Sequence, residues 1–209
     1  GMQAVVIKLV NMIMLMAPIG VFALITKTIT TLAVGEGGEA NLGQIGTVLG
    51  ALSYYCIAVI IGLLLHTTIV YLGLLKLFTP LKISQFFKAI APAQLLAFST
   101  SSSGATLPVT MRQCKEKLGA SKETTSFVLP LGATINMDGT ALYQAVAAVF
   151  IAQASGMSLD MGDQLTIVIT AVLASIGTAA VPGAGIIMLV IILEAVGIPG
   201  EGIALILGV

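Results

Sequence analysis

Val128-Leu129-Pro130-Leu131-Gly132-Ala133-Thr134-Ile135-Asn136-Met137-Asp138-Gly139-Thr140-Ala141-Leu142 carries one carboxylate in the middle of an otherwise uncharged run. About fourteen residues separate Asp138 from Glu123, and about twenty separate it from Asp160. At a helical rise of about 1.5 Å per residue, Asp138 falls near the centre of a membrane-thick segment. A charge at that depth costs at least ~2.5–3.5 kcal/mol and needs a partner. No lysine or arginine lies at comparable depth. Neutralisation therefore falls to a bound cation, to a proton or to a segment outside these residues. A protonated structural aspartate bonded across helices is the other reading. Asn136, Asp138 and Thr140 offer side-chain oxygens, and Gly139 loosens the helix. An unwound turn adds free carbonyls, which suits a hard alkali cation that must shed its water.

The composition around this stretch is that of a membrane protein. Of 209 residues, 9% are charged, against roughly 25% in soluble domains. Mean hydropathy is +1.09. Net charge is zero and the basic residues are scattered, so nothing points to nucleic acid. Cys56 and Cys114 lack metal spacing and read as free thiols. Both ends of the chain lie in apolar sequence, which reads as an internal fragment of a longer protein.

Charges mark depth along the chain. Apolar segments cover about 4–34 and 45–75, and Lys76, Lys82 and Lys88 follow. A third segment ends at a basic cluster, Arg112, Lys115, Lys117 and Lys122. Basic loops favour the cytoplasmic side, so the third segment enters and leaves on one face. Its middle, Ser101-Ser102-Ser103-Gly104-Ala105-Thr106-Leu107-Pro108, suits the tip of a re-entrant hairpin buried in protein. The fifth segment, between Asp163 and Glu194, repeats the theme around Gly177-Thr178-Ala179-Ala180-Val181-Pro182-Gly183-Ala184-Gly185. Acids at both its ends place them outside. Paired interrupted segments are the sequence mark of an inverted repeat with a site between its halves. The expectation is an all-α membrane protein with transmembrane helices, two re-entrant helical hairpins entering from opposite faces, and a broken helix between them. Helix ends at the breaks would offer a positive pole to a carboxylate and a negative pole to a cation. A small anionic or zwitterionic solute carried with cations satisfies both.

The two tip sequences and Asn136-Met137-Asp138-Gly139-Thr140 resemble the three signature stretches of the glutamate transporter family, the dicarboxylate/amino acid:cation symporters. Ala17-Pro18-Ile19-Gly20-Val21-Phe22-Ala23 resembles the family's fifth helix. The resemblance runs from end to end. It implies part of an elevator-type transporter fold, from helix five to the start of helix eight, in a homotrimer at the cell (inner) membrane. Residues 1–35 would be a scaffold transmembrane helix, and 45–209 a transport domain. Within the latter, 45–76 would be a transmembrane helix, 84–118 the first re-entrant hairpin and 122–156 the broken helix. The second hairpin would cover 162–198, and the start of the final helix 201–209.

The resemblance also assigns site residues. Gly132, Thr134, Asn136 and Asp138, with the carbonyls of Ser175, Ile176 and Thr178, would bind sodium as the co-transported ion. Ser101, Ser103, Thr140, Val181 and Gly185 would hold the amino acid. Gly104 departs from the fourth serine found in many members. The implied function is sodium-coupled symport of acidic amino acids, aspartate or glutamate. Proton-coupled dicarboxylate symport or a neutral amino-acid cargo is the alternative. By the resemblance, the final-helix residues that choose the cargo would lie beyond Val209. His66, alone on an apolar helix, reads as a hydrogen-bonded interior residue. Ser103 with His66 is a weak echo of an intramembrane protease pair, and no enzyme activity is expected. A pore along broken helices would be a side activity.

Overall fold

The computed structural model describes residues 42–206 and scattered helical positions between Met12 and Thr30. Most of the expected scaffold helix over 1–35, and residues 207–209, lie outside the described residues. The chain forms two compact units, 1–57 with 201–209, and 58–200. The first contains the helical positions between Met12 and Thr30, the start of α1 (Leu42–His66) and the short α9 (Ile203–Ile206).

All regular structure of the second unit is helical among the described residues. It begins with the end of α1, a π-helical turn at Thr67–Tyr71 and α2 (Leu72–Phe78). Then come α3 (Ile83–Thr100), α4 (Ser103–Lys117), α5 (Lys122–Ile135), α6 (Asp138–Ala154), α7 (Met161–Ile176) and α8 (Ala184–Val196). Two stretches, Leu49–Phe78 and Lys122–Ala154, are long and apolar enough to cross a membrane. With 16 and 13 residues, α7 and α8 are too short to do so alone. They reach only about 24 and 20 Å at 1.5 Å per residue, against a hydrocarbon core of about 30 Å.

Local chemistry sets the boundaries. Ser121 caps α5 by accepting the Thr124 amide at 3.1 Å. Asp160 caps α7 through a reciprocal pair: it accepts the Asp163 amide at 2.8 Å, and Asp163 accepts the Asp160 amide at 3.1 Å. At the end of α8, Gly197 is left-handed (φ 72°), which lets Ile198 N–H reach back to the Leu193 carbonyl at 2.8 Å.

Helices α3 and α4 form one antiparallel pair, and α7 and α8 a second; α6 packs on both arms of the second. The core lies among α6, α7 and α8. Ala147, Ala148, Ile151, Ala152, Leu189, Ile192 and Leu193 are fully enclosed there. Alanines on facing helices let the backbones approach closely, the usual means of holding helices together where no water drives them. Many large apolar side chains face outward. Phe98 is 90% exposed and Phe127 71%. Such a surface suits lipid and not water.

The end of α1 lies against the start of α6. A Cβ on Gly62 would stand 3.1 Å from a Leu142 methyl, and one on Gly139 3.6 Å from a Leu63 methyl. This close approach places the π turn beside Asp138.

Candidate functional site

Three interruptions come together. The first separates α3 from α4. Ser101 ends α3 in the left-handed region (φ 47°), rare for a residue with a side chain, and its amide bonds the Ala97 carbonyl at 2.8 Å. Ser102 is extended and caps α4, accepting the Ala105 amide at 3.2 Å. The second interruption, Asn136–Met137, separates α5 from α6. The third runs from Gly177 to Gly183, where Gly183 takes φ 78° and opens α8.

The two tips touch. The Ala180 carbonyl accepts from the Gly104 amide at 3.2 Å and from the Ser102 hydroxyl at 3.0 Å. A Cβ at 104 would stand 2.9 Å from that oxygen. The departure from serine at this position thus has a steric counterpart: glycine lets one tip sit on the other. The second hairpin also meets the start of α6. A Cβ on Gly185 would lie 3.1 Å from the Thr140 methyl. Gln144, fully buried one turn beyond Thr140, donates from Nε2 to the Gly185 carbonyl at 2.9 Å. Its Oε1 has no partner among the described residues.

Asp138 turns towards α1. Its Oδ2 accepts the Tyr71 hydroxyl at 2.7 Å and lies 3.1 Å from His66 Nε2. The side chains of His66 and Asp138 are 26% and 30% exposed. As the first residue of α6, Asp138 also places its negative charge at a positive helix end. The sequence reading has His66 as a hydrogen-bonded interior residue, and the structure gives it Asp138 as its partner; the Tyr71 hydroxyl is the partner that reading lacked. Periodicity in an apolar helix does not reveal which polar residue another helix will meet.

The other expected ion ligands are arranged as follows. The Gly132 carbonyl accepts the Asn136 amide at 3.0 Å and keeps a second lone pair. The Thr134 hydroxyl donates to Leu131 O at 2.8 Å, within its own helix. Ser175 and Thr178 are buried and donate to Val172 O and Ala174 O, each at 2.8 Å. Ile176 is the last residue of α7 and stays exposed. Of the expected substrate residues, Thr140 and Gly185 meet. Ser101 and Val181 are exposed at the tips. Ser103, Gly132 and Asn136 line one cavity of about 1040 Å³ bounded by the π turn, α2, α3, α4 and α5. Sequence reasoning missed Tyr71 and Gln144. For Gln144 there was a signal: it is the one strongly polar side chain between Thr140 and Gln153 in a run of alanines, valines and isoleucines.

The model of the sodium:dicarboxylate symporter family matches residues 1–209. Human excitatory amino acid transporter 2 is 44% identical over 208 residues, covering 100% of this chain and 34% of that protein. Human excitatory amino acid transporter 1 is 44% identical over 209 residues, with 100% and 37% covered. The excitatory amino acid transporter 1 of Ambystoma tigrinum is 45% identical over 209 residues, with the same coverage. The chain spans about a third of the length of these relatives. With a helical fold whose interruptions meet at one place, and a match from its first residue to its last, this chain belongs to the sodium:dicarboxylate symporter family.

Proposed function

We propose that this chain is the central part of a sodium-coupled symporter of acidic amino acids, working by elevator-type alternating access in the cell membrane. The observation that carries the reading is the meeting of the interruptions. The hairpin tips join at Ala180, and the second hairpin reaches the first turn of α6 at Thr140. Three helices therefore end and three begin around one region. Amide ends attract a carboxylate and carbonyl ends a cation, so one site suits an anionic solute with its counter-ions. Transport, with no enzyme activity, follows from the family. The relatives' names support an amino acid as cargo.

Ser101, Ser103, Thr140, Val181 and Gly185 would hold the amino acid. Gly132, Thr134, Asn136 and Asp138, with the Ser175, Ile176 and Thr178 carbonyls, would hold sodium. Both ions and amino acid are cargo here. The short arms of α7 and α8 support a re-entrant second hairpin, and the basic cluster from Arg112 to Lys122 supports a first hairpin entering from the cytoplasm. Residues 1–35 would belong to a fixed scaffold, 45–209 to the moving domain, and the whole protein would be a homotrimer.

The test is Asp138→Ala in the full-length protein reconstituted in vesicles. Sodium-dependent uptake of radiolabelled aspartate is expected to be lost; unchanged uptake with unchanged sodium dependence refutes the reading. Uptake persisting in choline would assign a proton as coupling ion. Competition by serine as strong as by aspartate would assign a neutral cargo.

A further inference from the structure

We propose that Tyr71 is a positioning residue for the ion site, holding one oxygen of Asp138 so that the other is left for the cation. The proposal rests on the reading of Asp138 as a sodium ligand. Three observations carry it.

The first is the distribution of bonds on the carboxylate. The Tyr71 hydroxyl and His66 Nε2 both reach Oδ2, at 2.7 and 3.1 Å. No hydrogen bond falls on Oδ1 among the described residues. A carboxylate has about four lone-pair sites, and fixing one oxygen fixes the plane of both.

The second is the backbone that makes this possible. In an α-helix each residue turns the chain by about 100°, so residues five apart lie about 140° apart around the axis. His66 and Tyr71 are five apart and could not both face Asp138 from an α-helix. Between them lies the π turn, closed by Leu72 N–H on the Thr67 carbonyl. Pairing five residues apart brings His66 and Tyr71 to one face. Their rings meet edge to face, with centroids 4.8 Å apart. The turn is made of β-branched Thr67, Thr68, Ile69 and Val70 before Tyr71, and the Thr68 hydroxyl bonds back to the Leu64 carbonyl at 2.7 Å. Crowded χ1 angles and a competing hydroxyl both loosen an α-helix here. Single π turns inside α-helices are frequent at functional sites.

The third is that Tyr71 bounds the cavity also lined by Ser103, Gly132 and Asn136. One side chain thus joins the carboxylate to the wall formed by the neighbouring expected site residues.

The experiment uses the full-length protein in vesicles and follows aspartate uptake against sodium at saturating aspartate. Tyr71→Phe keeps the ring and removes the hydroxyl. Half-saturating sodium is expected to rise about tenfold, the lower end for a hydrogen bond to a charged group at a partly exposed position. The maximal rate, and half-saturating aspartate at high sodium, are expected to stay within about twofold. His66→Gln, which keeps an N–H donor, is expected to shift sodium dependence less than Tyr71→Phe. An unchanged sodium dependence in Tyr71→Phe, or a fall in maximal rate without a sodium shift, overturns the proposal. If Tyr71→Phe does not reach the membrane, 3-fluorotyrosine at position 71 replaces it. Its fluorine resonance is expected to move on adding sodium and to stay still in choline; a resonance that ignores sodium overturns the proposal. Wild-type uptake that ignores sodium, or Asp138→Ala that keeps its sodium dependence, overturns the reading of the site itself. An unchanged Tyr71→Phe beside a dead Asp138→Ala overturns only the role of Tyr71.

Discussion

Replacing Gly104 with alanine adds a single methyl group where the two hairpin tips meet. The new carbon would stand 2.9 Å from the Ala180 oxygen, whereas ordinary contact begins near 3.4 Å. The obstacle is backbone and cannot swing aside, so the tips must part by about half an ångström. The bonds from the Gly104 amide and the Ser102 hydroxyl, now 3.2 and 3.0 Å, would stretch to 3.5 Å or beyond and cease to count. Each is worth about 0.5–1.5 kcal/mol net, so the closed arrangement loses about 1–3 kcal/mol. That shifts the closed-to-open ratio by roughly five- to 150-fold. Position 104 has no positive φ, so alanine meets no backbone strain there. As a better helix former than glycine, alanine favours α4 by up to about 1 kcal/mol. That gain offsets only part of the loss, so global stability should hold or fall slightly while the tips loosen. Hydrogen exchange by mass spectrometry on the full-length protein reads this directly. Peptides covering 99–106 and 177–184 are expected to exchange faster in Gly104→Ala, with the melting temperature unchanged or slightly lowered. Equal exchange in both peptides would refute the reasoning, because it would mean that the tips do not hold each other.

Other substitutions separate site from scaffold. Asp138→Asn keeps the size of the side chain and removes its charge; sodium-driven aspartate uptake is expected to fall to background, while size-exclusion profiles match the wild type. Gln144→Leu takes the side-chain donor from the half-buried Gly185 carbonyl, which costs about 1 kcal/mol and should appear as faster exchange at the start of α8. Ala148→Leu overfills a site with no exposed surface; a lower melting temperature, from a cost of about 1–3 kcal/mol, is expected with unchanged sodium affinity in the protein that folds.

The helical class and the places where helices end were legible because their signals are local. The serine run sits at the first tip, with Pro108 inside α4 beyond it, Gly177 to Gly183 forms the second, and a charged residue beside Gly139 lies where α6 starts. The partners of Asp138 were not legible. Tyr71 looks like one more residue of an apolar helix, and only the π turn rotates it onto the face of His66. That turn has no glycine or proline to announce it. Gly104 was visible as a departure from the family pattern, but its meaning depends on Ala180, 76 residues later in the chain. The roles given to Thr134, Ser175 and Thr178 came by resemblance; their hydroxyls are engaged within their own segments, and only their remaining lone pairs and main-chain oxygens are available.

The acceptor at the meeting of the tips is a main-chain oxygen. No change of side chain at position 180 deletes it, whereas the hydroxyls of Ser101, Ser103 and Thr140, proposed to hold cargo, are side-chain atoms that substitution removes. Fastening and recognition are thus written in different atoms. On the cargo roles proposed for Thr140 and Val181, a lineage could exchange one solute for another at those positions and leave the fastening untouched. Drift at Gly104 would do the reverse, loosening the fastener while the same solute is still recognised.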